Sequence, residues 1–185
     1  MRRFRARKPG YVDSASDAVT RIEQRIQQVL ALSRSEEDDE AEATEFSLSE
    51  VAERVWKRVS TGTTSAEIEP GIKLTGNEPR VERLLMNLFR NAIEHGGETV
   101  SVTVGELEER DGFFVEDDGP GIPAGVREKV FDWHYSTKSG GTGIGLRSVQ
   151  QIIDTEGWNI SITASSTGGA RFEIVMEQTV GGDVT

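Results

Sequence analysis

The stretch "PRVERLLMNLFRNAIEHGG", residues 79–97, decides the fold of this chain. Asn77 and Pro79 are start signals of a helix, and the paired glycines at its end are a stop signal. At about 100° per residue, its apolar side chains form one continuous stripe, made of Val81, Leu84, Leu85, Leu88 and Ala92. The sequence therefore predicts one long helix that packs with this stripe on a core.

Two asparagines, Asn87 and Asn91, lie four residues apart just outside the edge of that stripe. Asparagine has a low helix propensity, so two of them on one helix flank call for a reason. An amide oxygen is a hard ligand of the kind that Mg²⁺ accepts, and Mg²⁺ usually keeps water and substrate phosphates as its other ligands. Taken alone, this pair of asparagines is compatible with two interpretations. They could belong to a metal-phosphate site, or they could be ordinary surface residues.

The stretch "VEDDGPGIP", residues 115–123, indicates a strand that ends in two aspartates before a glycine-rich turn. An ordinary polar turn at a strand end explains the glycines. It explains less well why Asp117, in register with Val115, would point toward the covered face of a sheet. A carboxylate there could accept a hydrogen bond from an exocyclic amine, while the glycines let a flat ring lie against the backbone.

A third stretch, "TKSGGTGIGL" at residues 137–146, places four glycines immediately before a helical pattern. Glycine costs conformational entropy on folding, so such a run often marks a close approach of the backbone to something else. The free N–H groups and the dipole at a helix start also favour an anion. A flexible surface loop that ends in a helix cap is the alternative.

The remaining patterns predict an α+β fold. Residues 14–34 have apolar side chains at helical spacing, and residues 35–45 form an acidic run typical of a linker. Ser47 and Glu50 have the spacing of a capping box before a second helix. Alternating apolar residues predict paired strands at 98–118 and 158–177. We expect a two-layer sandwich, with a mixed, mostly antiparallel sheet covered on one face by helices and preceded by an N-terminal helix.

Composition limits the classes of function. The 185 residues contain no cysteine, which excludes disulfides and thiolate sites, and no window approaches the roughly 18 apolar residues of a membrane span. The net charge of -11 argues against nonspecific nucleic-acid binding and would suit a high-salt cytoplasm. No secretory signal is evident, so we expect a cytoplasmic location, either alone or as the cytoplasmic part of a larger or membrane-associated sensor.

Four stretches, in order, resemble the N, G1, F and G2 boxes of the ATP-binding domain of sensor histidine kinases. These stretches are "NLFRNAIEHG", "VEDDGPGIP", "VFDWHYSTK" and "GGTGIGL". Gyrase, the MutL-type mismatch-repair proteins and the heat-shock chaperone ATPases are relatives with the same Bergerat-type fold. The resemblance covers residues 46–178. The sequence segments that flank the boxes look most like those of haloarchaeal kinases. It implies an N-terminal helix and linker at 1–45, an ATP-binding domain at 46–180 and a tail at 181–185.

The resemblance also implies roles for individual residues toward ATP and Mg²⁺. Asn87 would ligate Mg²⁺, Asn91 would support the phosphates, and Asp117 would bind the adenine amine. Gly119 and Gly121 would shape the base pocket. Lys138 would add positive charge beside the phosphate-facing lid glycines Gly141, Gly143 and Gly145. The same boxes contribute further nucleotide contacts, namely His95, Ile122, Tyr135, Thr142, Ile144 and Leu146.

Some positions depart from the family pattern. His134 stands where the F box often has a second phenylalanine, which leaves Phe131 and Trp133 as its apolar anchors. Gyrase-like hydrolases place a general-base glutamate four residues before the first asparagine, but this chain has Arg83 there. Glu82 is one residue, hence about 100°, away from that direction. The resemblance therefore favours phosphoryl transfer over hydrolysis.

No histidine of this chain lies in the H-box setting of a phospho-acceptor, because His95 and His134 belong to other boxes. The resemblance then implies a kinase module that acts on a histidine-bearing dimerisation helix and feeds a response regulator. The N-terminal helix would form a homodimer in the full protein. A noncatalytic nucleotide-gated regulator and an ATP-driven clamp are the alternatives.

Overall fold

The computed structural model describes residues 42–97, 99–132 and 144–176. Within these ranges the chain forms seven strands and three helices, with two short 3₁₀ turns at Ala124–Val126 and Lys129–Phe131. The helices are α1 (Leu48–Val59), α2 (Glu78–Gly96) and α3 (Ile144–Glu156). The strands are β1 (Thr44–Ser47), β2 (Ser65–Ile68), β3 (Lys73–Gly76), β4 (Ser101–Glu106), β5 (Gly112–Asp117), β6 (Asn159–Ala164) and β7 (Ala170–Val175). None of the helices in the described ranges is long and apolar enough to cross a membrane.

The main sheet has five strands in the order β2-β4-β5-β7-β6. β2 runs parallel to β4, and the other neighbours are antiparallel. Because successive side chains on a strand alternate between the two faces, one face carries the apolar residues that the helices cover. This buried face includes Val102, Val104, Phe113, Val115, Phe172 and Ile174. The expected α+β sandwich is confirmed.

The second sheet was not predicted from the sequence. β1 pairs antiparallel with β3, and Phe46 lies opposite Leu74 in this pairing. Thr44 and Glu45, which the charge pattern placed in the acidic linker, therefore belong to a strand. Their backbone groups pair with Gly76 and Thr75, 32 and 30 positions away, and local composition carries no signal of such a pairing.

The starts of α1 and α2 follow the predicted capping signals. The Ser47 side chain accepts a hydrogen bond from the Glu50 N–H at 3.2 Å. The Asn77 side chain accepts one from the Arg80 N–H at 3.0 Å, and proline occupies the first turn of α2. These caps satisfy N–H groups that have no partner inside a helix. The Asn77 cap fixes where α2 begins, and therefore how many turns lie between that start and Asn87.

An ion pair joins the end of α3 to the beginning of α2. The Arg80 guanidinium donates to Glu156 Oε1 at 2.7 Å, and the two side chains are 15% and 8% exposed. Glu156 Oε2 also accepts from the Asn77 N–H at 3.4 Å. The carboxylate thus links the two helices at the end opposite to the start of α3, so it constrains how α3 lies on α2.

We expect the substitution Glu156→Gln to lower the free energy of unfolding by about 1.5–3 kcal/mol, because hydrogen bonds to charged groups contribute that much when shielded from water. Urea unfolding followed by circular dichroism measures the change. Glu53→Gln is the matched control, since Glu53 pairs with Lys57 at 3.6 Å on an exposed helix surface and should lose less than about 0.5 kcal/mol. Equal losses in the two variants would contradict a special role for the buried pair.

Candidate functional site

Helix α2 presents both predicted asparagines on a half-buried flank. Asn87 Nδ2 donates a hydrogen bond to the Arg83 carbonyl oxygen at 2.9 Å, one turn earlier. This bond orients the amide so that its oxygen, Oδ1, points away from the helix backbone. A hard oxygen acceptor is therefore directed off the flank of α2.

The oxygen of Asn87 faces the beginning of α3. A Cβ atom built on Gly145 would lie 3.7 Å from Asn87 Oδ1. Gly145 is in the first turn of α3, where N–H groups have no partner within the helix and the helix dipole is positive. The structure thus brings Asn87 of one motif and Gly145 of another together, although 58 positions separate them in the sequence.

Asp117 lies at the end of β5 on the face that the helices cover, and it is 9% exposed. Its Oδ1 accepts hydrogen bonds from the Gly119 N–H at 2.9 Å and the Ala170 N–H at 3.2 Å. Among the described residues, no donor contacts Oδ2. One carboxylate oxygen is therefore held by the protein, and the other keeps its capacity to accept a hydrogen bond.

Burial raises the pKa of Asp117 above its ordinary value of 3.8, and the neighbouring charges of Asp118 and Glu116 raise it further. The N–H bonds from Ala170 and Gly119 oppose this shift. Because the folded state raises this pKa, the ionised carboxylate costs stability as the pH rises above 3.8 and through the folded value. A donor on a bound ligand would offset part of that cost.

Backbone segments approach Asp117 closely at two glycines. A Cβ atom on Gly119 would lie 2.8 Å from the Gly96 Cα, and one on Gly169 would lie 1.9 Å from the Asp117 carbonyl oxygen. Any side chain at either position would collide with backbone. The turn after β5, the end of α2 and the β6–β7 turn therefore converge on this carboxylate.

Sequence reasoning missed two of these contributors. It assigned Gly96 only to the end of α2, and it treated the β6–β7 turn only as a connection. The paired glycines Gly168 and Gly169 between two strands were the one available signal, but Gly-Gly is also an ordinary hairpin pair, so it did not point to Asp117. Their partner in space could not be inferred from the sequence.

Some of the other predicted contact residues are described by the structure, and the others lie outside the described ranges. Ile122 and Leu146 are half-buried and pack against the hydrophobic core, and His95 is exposed in the last turn of α2. Gly121 follows Gly119 in the same turn, and Ile144 is the first residue of α3. The remainder lie outside the described residues, namely Tyr135, Lys138, Gly141, Thr142 and Gly143.

A separate cavity of about 420 Å³ lies at the β4–β5 hairpin, on the opposite face of the sheet. It is lined by residues 106–110 together with Phe114 and Arg171. Arg171 stacks on Phe114 at 3.6 Å and is paired with Glu116 and Glu173. None of the predicted site residues lines this cavity.

Comparison with known proteins decides the family. Residues 76–180, more than half of the chain, match the family described as histidine kinase-, DNA gyrase B-, and HSP90-like ATPase. The chain belongs to this family. The description names ATPases, which indicates the use of ATP, and the expected fold and the resemblance to the histidine-kinase ATP-binding domain are confirmed.

Individual relatives of this ATPase domain are sensor histidine kinases. The virulence sensor histidine kinase PhoQ of Salmonella typhimurium is 34% identical over 113 residues, which are 60% of this chain and 23% of PhoQ. The sensor histidine kinase ZraS of Escherichia coli O157:H7 is 34% identical over 104 residues, which are 55% of this chain and 23% of ZraS. The chain thus aligns with about a quarter of the length of these relatives. Both are bacterial, and the haloarchaeal affinity stays a prediction.

Among solved structures, the catalytic domain of the histidine kinase ThkA in a nucleotide-free form superposes with a TM-score of 0.62 at 28% identity. The match covers 73% of this chain and 95% of the ThkA domain. The domain described above is therefore an ATP-binding module of the sensor histidine kinase type.

Proposed function

We propose that this chain binds Mg-ATP and transfers the γ-phosphoryl group to a histidine outside the segment, as the catalytic module of a two-component sensor kinase. The observation that carries the proposal is the juxtaposition of Asn87 Oδ1 with Gly145 at the start of α3. An oxygen ligand for a cation and a helix start suited to anions meet there.

The base-binding end of the proposed site is at Asp117. Its Oδ2 would accept the hydrogen bond of the adenine amine, while Gly119, Gly121 and Ile122 would border the ring. The close approach of Gly119 to Gly96 supports this assignment, because it brings the backbone at the end of α2 beside the carboxylate. The raised pKa of Asp117 also suits a group that gains a partner on binding.

The phosphate-binding end is at Asn87. From Asn87 to Gly96 the helix advances about 14 Å at 1.5 Å per residue, a distance of the order of an extended nucleoside triphosphate. Asn91 lies between the two ends, which supports its proposed contact to the phosphates. The family boxes assign further contacts to His95, Tyr135, Lys138, Thr142, Gly143, Ile144, Gly145 and Leu146.

The residues around Asn87 fit a Mg²⁺ ion. A half-buried amide oxygen directed at a helix start provides one hard ligand and leaves the remaining positions to water and phosphate oxygens. Mg²⁺ bound there would neutralise phosphate charge during phosphoryl transfer. Such neutralisation matters because the net charge of -11 opposes the approach of ATP.

The position of Glu82 favours phosphoryl transfer over ATP hydrolysis. Its carboxylate forms ion pairs with Arg54 and Arg58 of α1. It is therefore engaged on the α1 side of α2, away from the flank that carries Asn87. A general base must reach the proton that it removes, and Glu82 does not face the proposed phosphate site.

We further propose the partners and the domain arrangement that this activity requires. Residues 1–45 would supply a dimerisation helix and linker to a homodimer, residues 46–180 the ATP-binding domain, and residues 181–185 a tail. The phosphoryl group would pass through an acceptor histidine to a response regulator in the cytoplasm. A nucleotide-gated regulator remains the second candidate, since neither His95 nor His134 lies in an acceptor motif.

The deciding experiment follows γ-labelled ATP with Mg²⁺, the purified chain and a separately purified two-helix segment that carries an acceptor histidine. Acid-labile label on that segment would support the kinase assignment. Label released as free phosphate would instead indicate a hydrolase. Tight binding with no transfer would favour the regulator, and an acceptor segment with its histidine replaced by alanine is the control.

A further inference from the structure

Ser165, the first residue after β6, is 7% exposed and lies directly behind Asp117. Its hydroxyl donates a hydrogen bond to the Asp117 carbonyl oxygen at 2.8 Å and accepts one from the Gly169 N–H at 2.8 Å. The Ser165 backbone N–H also donates to the Gly169 carbonyl oxygen at 3.0 Å. A single buried hydroxyl therefore links the β6–β7 turn to the end of β5.

The β6–β7 turn contacts the Asp117 carboxylate as well as the Asp117 backbone. Ala170 follows Gly169 directly, and its N–H donates to Asp117 Oδ1 at 3.2 Å. The same turn thus contacts Asp117 at its carbonyl oxygen, through Ser165, and at its carboxylate, through Ala170. Without the hydroxyl the turn would keep its own backbone bonds but lose the bond to β5 that helps to hold the Ala170 donor beside Oδ1.

A buried hydroxyl is costly unless both its donor and its acceptor capacity are used. Ser165 uses both. Besides the Thr167 hydroxyl at 3.0 Å within the turn, its partners are the strand that carries the proposed base-binding residue and the glycine that approaches that residue most closely. A serine that only closed a hairpin turn would have no need of the bond across to β5. The placement points to a role in holding Asp117.

We propose that Ser165 is a positioning residue that makes the nucleotide site selective for a purine with a 6-amino group. It holds the β6–β7 turn so that the Ala170 N–H occupies Oδ1 and Oδ2 stays directed at the amine. The inference rests on the proposed ATP site and adds to it a residue that does not contact the nucleotide.

The test compares two ligands on Ser165→Ala by isothermal titration calorimetry with Mg²⁺. ATP carries the 6-amino group, and purine riboside triphosphate lacks it. We expect the variant to bind ATP about tenfold more weakly, since one hydrogen bond contributes on the order of this factor, and to bind purine riboside triphosphate within about twofold of wild type. Ser166→Ala, an identical change at the adjacent exposed residue, should alter neither affinity.

A purely structural role would weaken both ligands equally, and that result would overturn the inference, as would unchanged ATP binding. Ser165→Cys keeps a group at the same position that hydrogen-bonds more weakly, so it should give an intermediate ratio of the two affinities even if the alanine variant folds poorly. Ser165→Ala should also add little to Asp117→Asn, because the two residues act through the same contact. Wild-type protein that binds neither ligand would instead overturn the proposed function itself.

Discussion

Asp117→Asn is expected to weaken ATP binding by about 10- to 100-fold at neutral pH. A hydrogen bond to a charged group contributes about 1.5–3 kcal/mol, and each 1.4 kcal/mol corresponds to a tenfold change in affinity. The asparagine oxygen would keep the bonds from the Gly119 and Ala170 N–H groups, which both go to Oδ1. Its amide nitrogen would then face the adenine amine, donor against donor. Titration calorimetry with ATP and Mg²⁺ measures the loss.

The same variant should not lose stability. Burial raises the pKa of Asp117 above 3.8, so at neutral pH the folded state bears the cost of a buried ionised carboxylate. Replacement by a neutral amide removes that cost, and we expect the thermal midpoint at pH 7 to stay level or rise. Weaker binding without weaker folding is what distinguishes a ligand contact from a structural one.

Asp118→Asn is the matched control for this prediction. Asp118 is the adjacent carboxylate, it is exposed, and its Oδ1 accepts from the Ser101 N–H at 2.8 Å on the far side of the strand end. Its substitution should leave ATP affinity within about twofold. Equal affinities of wild type and Asp117→Asn would remove Asp117 from the base pocket.

Asn87→Ala is expected to abolish the Mg²⁺ dependence of ATP binding and to reduce phosphoryl transfer by about 100-fold or more. A catalytic metal supplies several kcal/mol of charge stabilisation, and 1.4 kcal/mol is tenfold. Alanine has the higher helix propensity and the position is half-buried on the flank of α2, so the fold should persist. Binding titrated against Mg²⁺ concentration, together with the label-transfer assay, measures both effects.

Two further variants sharpen this test. Asn87→Asp keeps a hard oxygen at the same place, so it should retain a Mg²⁺ dependence that alanine lacks. Asn159→Ala changes an exposed asparagine of β6 and should behave as wild type. A Mg²⁺ titration that is unchanged in Asn87→Ala would contradict the assignment of this residue as the metal ligand.

Two sets of ion pairs hold α2 against its neighbouring helices. Arg80 and Glu156 connect α2 to α3 at the end of α3 that lies away from Gly145. Arg54 and Arg58 hold Glu82 on the α1 side. Both sets anchor α2. Glu82 faces α1, whereas Arg80 lies seven residues before Asn87, on nearly the same flank but about two turns closer to the start of the helix. The Arg80 ion pair therefore lies about 10 Å along α2 from Asn87, at the end of α3 away from Gly145.

The sequence by itself determined the features that depend on neighbouring residues. Asn77 and Ser47 marked the starts of α2 and α1 because capping bonds span only three positions. Alternation along β5 placed Asp117 on the same face as Val115, since side chains of a strand alternate with a period of two. The four ordered motifs then indicated the family.

Only the tertiary structure decided which distant residues lie beside Asn87 and Asp117 in the candidate site. Ser165 and Asp117 are 48 positions apart, and the hydroxyl contact between them follows from the pairing of β7 with β5. The approach of Gly145 to Asn87 likewise follows from the packing of α3 on α2, and the pairing of β1 with β3 had no local signal. Periodicity reports which face a residue occupies but not what lies opposite that face, because the register between elements is set by the packing of the whole core.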